Sequence, residues 1–128
     1  MRYTALIVDD SAAIRVQLRS LLGDCGYEIV AEAETGMEAI DRYVRYQPHL
    51  VTLDIVMPEL NGIGAAQEIF KYDPHAKVIV ITSSLSQKIR TQAEELGVRS
   101  FVVKPITLDK LKKALELIKS PTKEVKYG

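Results

Sequence analysis

Four short segments carry side chains that a plain globular core has no use for: Asp9-Asp10, Asp54, Thr82-Ser83 and Lys104. Each follows an apolar run, and if those runs are parallel neighbours, three carboxylates, a hydroxyl and an ammonium meet at one end of a sheet. Crowded carboxylates repel, and leaving them unpaired at a semi-buried site is costly. A hard divalent cation resolves that conflict. Mg²⁺ takes oxygen ligands, keeps several waters and is typically held by one or two carboxylates together with a phosphate. A nearby lysine adds a second positive charge, and a phosphoryl group in transit needs this environment around its equatorial oxygens. The nucleophile would be a carboxylate, giving an aspartyl-phosphate. Asp54 is the best placed, on a central run between the acidic pair and the lysine, while Asp9 and Asp10 are better placed as metal ligands.

Each residue also has a plainer role open to it. Asp10 or Ser11 could cap the first helix, Asp54 could cap a loop, Thr82 or Ser83 could cap the fourth helix, and Lys104 could be a solvated charge. The weight lies in their joint occurrence at the same end of strands 1, 3, 4 and 5.

The elements that must position these groups are visible as an alternation. Short β-branched runs at Ala5–Val8, Ile29–Ala33, Leu50–Leu53, Val78–Ile81 and Phe101–Val103 are separated by amphipathic helical stretches. All but the second are nearly continuous apolar tracts, as expected of parallel strands covered on both faces. The second alternates, which predicts an edge strand. Ile14, Leu18, Leu21 and Leu22 form one helical stripe, and Leu108, Leu111, Leu115 and Ile118 another. Thr35-Gly36-Met37-Glu38 matches a capping box, Asn61-Gly62 marks a turn into the third helix, and Gly26 and Gly97 sit where helix C-caps are expected. Pro48 and Pro74 fall in helix-to-strand connections. The alternation implies an open α/β sheet with right-handed crossovers and helices on both sides, whose ligands bind at the carboxyl ends of the strands.

Bulk properties narrow the class. The 128 residues suit one domain; 47% are apolar and 27% charged, and 17 basic residues balance 17 acidic ones. That balance lacks the basic stripe of a nucleic-acid binder. The single cysteine, Cys25, rules out an intramolecular disulfide or a Cys-based metal cluster. No window approaches the roughly 20 apolar residues of a membrane span. The N-terminal run is too short for a signal peptide. A cytoplasmic protein is expected, with a domain over 1–119 and a tail over 120–128 that contains Pro121 and no apolar stripe.

The landmarks Leu6-Ile7-Val8-Asp9-Asp10-Ser11, Leu53-Asp54-Ile55-Val56-Met57-Pro58-Glu59-Leu60-Asn61-Gly62, Val80-Ile81-Thr82-Ser83 and Phe101-Val102-Val103-Lys104-Pro105 together resemble the response-regulator receiver family, its stand-alone chemotaxis members in particular. The resemblance covers roughly residues 3–119. It implies a doubly wound, flavodoxin-like (βα)5 fold with a five-stranded parallel sheet in the order 2-1-3-4-5. It implies Asp54 as phosphoacceptor from a sensor histidine kinase of the chemotaxis type. Asp9, Asp10, Asp54 and the backbone carbonyl of Val56 would hold Mg²⁺, and Lys104, followed by a cis peptide to Pro105, would pair with the phosphoryl oxygens. Thr82 would be the switch hydroxyl. Phe101 falls at the switch aromatic position, without the phenol oxygen that the chemotaxis regulator carries there. Val56 and Ser84 fall where the family tunes the phosphoryl lifetime.

The output expected is protein–protein contact, since no effector domain follows residue 119. A downstream protein would bind the face of helix 4, strand 5 and helix 5, the flagellar motor switch being the first choice. A phosphorelay protein, or a receiver excised from a larger transcriptional regulator, is the alternative. No nucleic acid or membrane partner is expected, and the chain should be a monomer. It would not be an enzyme beyond catalysing its own phosphorylation and slow autodephosphorylation. An aspartyl-phosphate hydrolase of the haloacid-dehalogenase kind would carry a second acid at position 56, which is Val. A flavodoxin-like FMN binder would need a Ser/Thr/Gly-rich loop where Asp9-Asp10-Ser11-Ala12-Ala13 stands. A degenerate receiver would need a broken site, and every site position here is filled.

Overall fold

In the computed structural model, residues 3–57 and 61–119 are described; Pro58, Glu59, Leu60 and the expected tail from Ser120 lie outside them. The strands are β1 (Tyr3–Val8), β2 (Tyr27–Ala33), β3 (Leu50–Leu53), β4 (Val78–Thr82) and β5 (Ser100–Val103). They alternate with α1 (Ala12–Asp24), α2 (Gly36–Tyr46), α3 (Gly62–Tyr72), α4 (Gln87–Leu96) and α5 (Leu108–Lys119). All strand pairs are parallel, and the order across the sheet is β2-β1-β3-β4-β5.

Side-chain alternation along the strands sorts the core into two layers. Leu6, Val8, Val51, Leu53, Val78 and Val80 face α2, α3 and α4, packing with Ala39, Tyr43, Ala65, Ala66, Ile69 and Ala93. Ala5, Ile7, Leu50, Ile79, Ile81 and Val102 face α1 and α5, packing with Leu18, Leu22, Leu111, Leu115 and Ile118. Both faces of β1, β3 and β4 are therefore covered, which is why these strands read as unbroken apolar runs.

β2 is an edge strand, as its alternation predicts. β5 is the other edge and departs from the expected double burial: Ser100 and Val102 are buried, while Phe101 is half-buried and Val103 is 42% exposed. The reason is one-sided cover. Val102 packs into the α1/α5 layer, and Ser100 Oγ donates to the carbonyl of Ala114 on α5 at 2.7 Å. β1 and β2 also start earlier than their apolar runs, because the parallel ladder pairs Tyr3 with Tyr27 and Thr4 with Glu28 irrespective of polarity.

The helix caps settle several of the open alternatives. Ser11, not Asp10, caps α1, its hydroxyl accepting from the amide of Ile14. Ser86 caps α4, so neither Thr82 nor Ser83 does. Thr35 caps α2 through the amide of Glu38 at 3.1 Å, but the Glu38 carboxylate reaches one residue beyond the expected box, to the amide of Glu34 at 2.8 Å. Gly97 ends α4 at φ 122°, a left-handed region that favours glycine.

Candidate functional site

The sheet ladder runs one residue past three of its strands, and that extension fixes the groups singled out above. The amide of Asp9 donates to Ala33, that of Asp54 to Val8, and that of Lys104 to Thr82, at 3.0, 3.0 and 2.8 Å. Asp9, Asp54 and Lys104 thus start from backbone held by neighbouring strands, at the carboxyl edge of the sheet. Asp9 and Asp54 are buried, and Asp10 is exposed beside them.

The Lys104 ammonium lies between the two buried acids, 3.0 Å from Asp9 Oδ2 and 3.5 Å from Asp54 Oδ2, with its side chain 17% exposed. The remaining carboxylate oxygens are held by main-chain amides. Ser11 N–H donates to Asp9 Oδ1 at 2.9 Å, and Val56 N–H donates to Asp54 Oδ1 at 3.3 Å. One oxygen from each of Asp9, Asp10 and Asp54 lies within 4.8 Å of the others. Only oxygen donors are present, in a half-open acidic cluster, and a hard dication fits that set.

The electrostatics point the same way. Burial first, and the charge of Asp9 second, push the Asp54 carboxyl above its ordinary value, against the opposing pull of Lys104 and the Val56 amide. Burial works against the Lys104 charge, yet its hydrogen bond to Asp9 and the charges of Asp54 and Asp9 together lift it above the usual lysine value. One ammonium does not fully compensate two buried acids and a third nearby. A further cation would relieve the residual repulsion.

The loop after Asp54 is closed by a glycine. Gly62 donates to the carbonyl of Ile55 at 2.8 Å, and a Cβ there would collide with the Asp54 carbonyl oxygen and come within 2.6 Å of the Ile55 Cα. The start of α3 is thereby pressed against the backbone of Asp54. Val56 projects outward from this loop, 69% exposed.

Thr82 is buried, and its hydroxyl is engaged by Ser84, donating to the carbonyl at 3.2 Å and lying 3.3 Å from the amide. Phe101 pairs in register with Val80, so Thr82, two residues on, shares its face one step nearer the acids. The guanidinium of Arg90 covers the Phe101 ring at 4.7 Å from its centroid. The Lys104–Pro105 peptide is cis.

Asp9, Asp10, Asp54, Val56, Thr82, Phe101 and Lys104 therefore lie at this rim or on the adjoining face. Two others were missed there. In the sequence Gly62 marks only a turn. Arg15, on α1, donates to the main-chain carbonyl of Asp9 at 2.8 Å. The signal for Arg15 was available: Arg15 and Arg19 stand one helical turn apart, opposite Glu32 and Glu34 on the rim of β2.

Comparison with known proteins agrees with this geometry. The profile of the family described as response regulator receiver domain matches residues 5–116. The chemotaxis protein CheY of Thermotoga maritima is 42% identical over 113 residues, 88% of this chain and 94% of that protein. The transcriptional regulatory protein PdtaR of Mycobacterium tuberculosis is 37% identical over 94% of this chain but only 58% of its own length. Among solved structures, CheY in a CheX–CheY–BeF3–Mg²⁺ complex from Borrelia burgdorferi superposes with a TM-score of 0.89, at 30% identity, over 92% of this chain and 90% of that one.

Proposed function

The chain belongs to the response regulator receiver family, and from that premise we propose that Asp54 takes a phosphoryl group from a phosphohistidine of a sensor kinase. In that step the carboxylate oxygen forms the new O–P bond as the N–P bond breaks. The imidazole leaves with the electron pair and is protonated. Mg²⁺, held by Asp9, Asp10, Asp54 and the Val56 carbonyl, would offset charge on the transferring oxygens. Lys104, already seated between Asp9 and Asp54, turns its ammonium to the same oxygens. Burial of Asp54 limits the access of bulk water to the acceptor, and the Val56 amide and the Lys104 ammonium align its carboxylate. The observation that carries this reading is the Lys104 ammonium bridging two buried carboxylates within a three-acid cluster. The roles of Thr82 and Phe101 follow: a phosphoryl oxygen draws the Thr82 hydroxyl from Ser84, and Phe101 moves into the space left.

The protein is then a phosphoacceptor that catalyses its own phosphorylation and slow dephosphorylation, not an enzyme turning over an external substrate. In this reading it works as a cytoplasmic monomer whose partners are proteins. Among the described residues no helix is long and apolar enough to cross a membrane. The extensive match to CheY supports a chemotaxis output through the α4–β5–α5 face, to a protein such as the flagellar motor switch. The match to part of PdtaR favours a second reading, a receiver serving a phosphorelay or a larger regulator. Intact-mass analysis after incubation with acetyl phosphate and Mg²⁺ tests the central step. One phosphoryl group should add to the parent and none to Asp54→Asn; addition to that variant would refute the assignment.

A further inference from the structure

We propose that Arg15 is a positioning residue of the acidic site, presetting the Asp9–Asp10 pair for a dication by clamping the peptide between them. The inference rests on the metal-assisted reading above. The Arg15 side chain is 14% exposed, and its donors divide between the site and the sheet edge. Nη1 donates to the Asp9 carbonyl at 2.8 Å, Nε to Glu32 Oε1 at 3.1 Å, and Nη2 lies 3.6 Å from Glu34 Oε2. Glu32 is anchored in turn by Arg19, at 2.8 and 2.6 Å.

The Asp9 carbonyl belongs to the peptide that sets the direction of Asp10, the exposed acid of the cluster. The Asp9 side chain is fixed independently by Ser11 N–H and Lys104. Asp9 is thus held at both its carbonyl and its carboxylate, which restricts the angle at which Asp10 enters the rim. A planar guanidinium suits this role because its several donors can serve a carbonyl and two carboxylates together. The two glutamates offset its charge, so the clamp adds little net positive potential where a cation would sit. Outer partners that orient metal ligands commonly matter for affinity although they never touch the metal.

The test is Mg²⁺ titration by calorimetry, with backbone NMR of the metal-free protein. Arg15→Met keeps every ligand and should weaken Mg²⁺ binding by about tenfold, while shifting or broadening the Asp10 amide resonance before any metal is added. Arg15→Lys, which retains the charge but not the planar fork that reaches the carbonyl and both carboxylates together, should recover only part of the affinity. Arg19→Met removes an equal charge from the same glutamate without touching Asp9, and should bind Mg²⁺ like the parent. The proposal is overturned if Arg15→Met binds Mg²⁺ like the parent, or if Arg19→Met loses as much affinity as Arg15→Met. A parent that takes up no Mg²⁺ would instead overturn the metal-assisted reading itself.

Discussion

Removing the Lys104 ammonium should destabilise the metal-free protein severely, and the size of the loss can be worked from the site. Its charge stands 3.0 and 3.5 Å from two buried carboxylates. At an effective dielectric of about 20, each such contact is worth roughly 5 kcal/mol before desolvation. Desolvation offsets most of that, and truncating one partner of a buried pair typically costs about 3–5 kcal/mol. Lys104→Met should therefore lose about 3–5 kcal/mol at neutral pH, a large part of the roughly 5–15 kcal/mol available to a domain. The sign with pH follows from the carboxyls. The folded value of Asp54 is raised, so it protonates early on acidification, and the stranded negative charge in the variant falls with it. The deficit should shrink in acid and on adding Mg²⁺, which replaces the lost cation. Urea melts of parent and variant, at neutral and mildly acidic pH with and without Mg²⁺, read this directly. A variant within about 1 kcal/mol of the parent at neutral pH, or a deficit indifferent to both acid and Mg²⁺, would refute the electrostatic account of the site.

Three further outcomes are expected. The raised carboxyl of Asp54 gives the fold stability that is fully present below the ordinary aspartate value and is lost as pH rises through the folded value; Asp54→Asn should remove that slope from the metal-free stability profile measured by urea melts. Gly62→Ala should cost about 1–3 kcal/mol in the same assay and weaken Mg²⁺ binding by calorimetry, because the added methyl meets the Asp54 carbonyl. Thr52 Oγ1 is buried without a hydrogen-bond partner among the described residues, so Thr52→Val should raise the denaturation midpoint by the equivalent of about 1 kcal/mol.

How far the sequence could be read follows from which constraints are local. The residues at the ends of β1, β3, β4 and β5 were visible because covered parallel strands are apolar up to the last residue, where the chemistry begins. Covered strands look alike, however: β5 reads as one although only one of its faces is well packed, and nothing in Phe101-Val102-Val103 announces an edge. Thr35 and Glu38 were recognised as a pair four residues long, but the carboxylate bonds Glu34, since the final rotamer depends on the β2 backbone already being in place. Arg15 and Gly62 escaped notice for a related reason. Each acts on a main-chain carbonyl, of Asp9 and of Asp54, and carbonyls leave no mark in a sequence.

The arrangement of Thr82 and Phe101 sets the size of the switch proposed for them. Moving the Thr82 hydroxyl inward gives up its contacts with Ser84, worth about 1 kcal/mol net for a typical hydrogen bond. Turning Phe101 away from Arg90 gives up a further 0.5–1 kcal/mol or so, the range for an exposed cation–π contact. These contacts bias the free protein toward the resting arrangement, and a phosphoryl contact made only in the active one must outweigh them. Thr82→Val removes the Ser84 contacts and the phosphoryl contact together, so beryllofluoride should still bind Asp54 while the shift at Phe101 is lost. NMR of the Phe101 ring with beryllofluoride and Mg²⁺ decides it: a full ring shift in Thr82→Val would show that the aromatic moves without the hydroxyl.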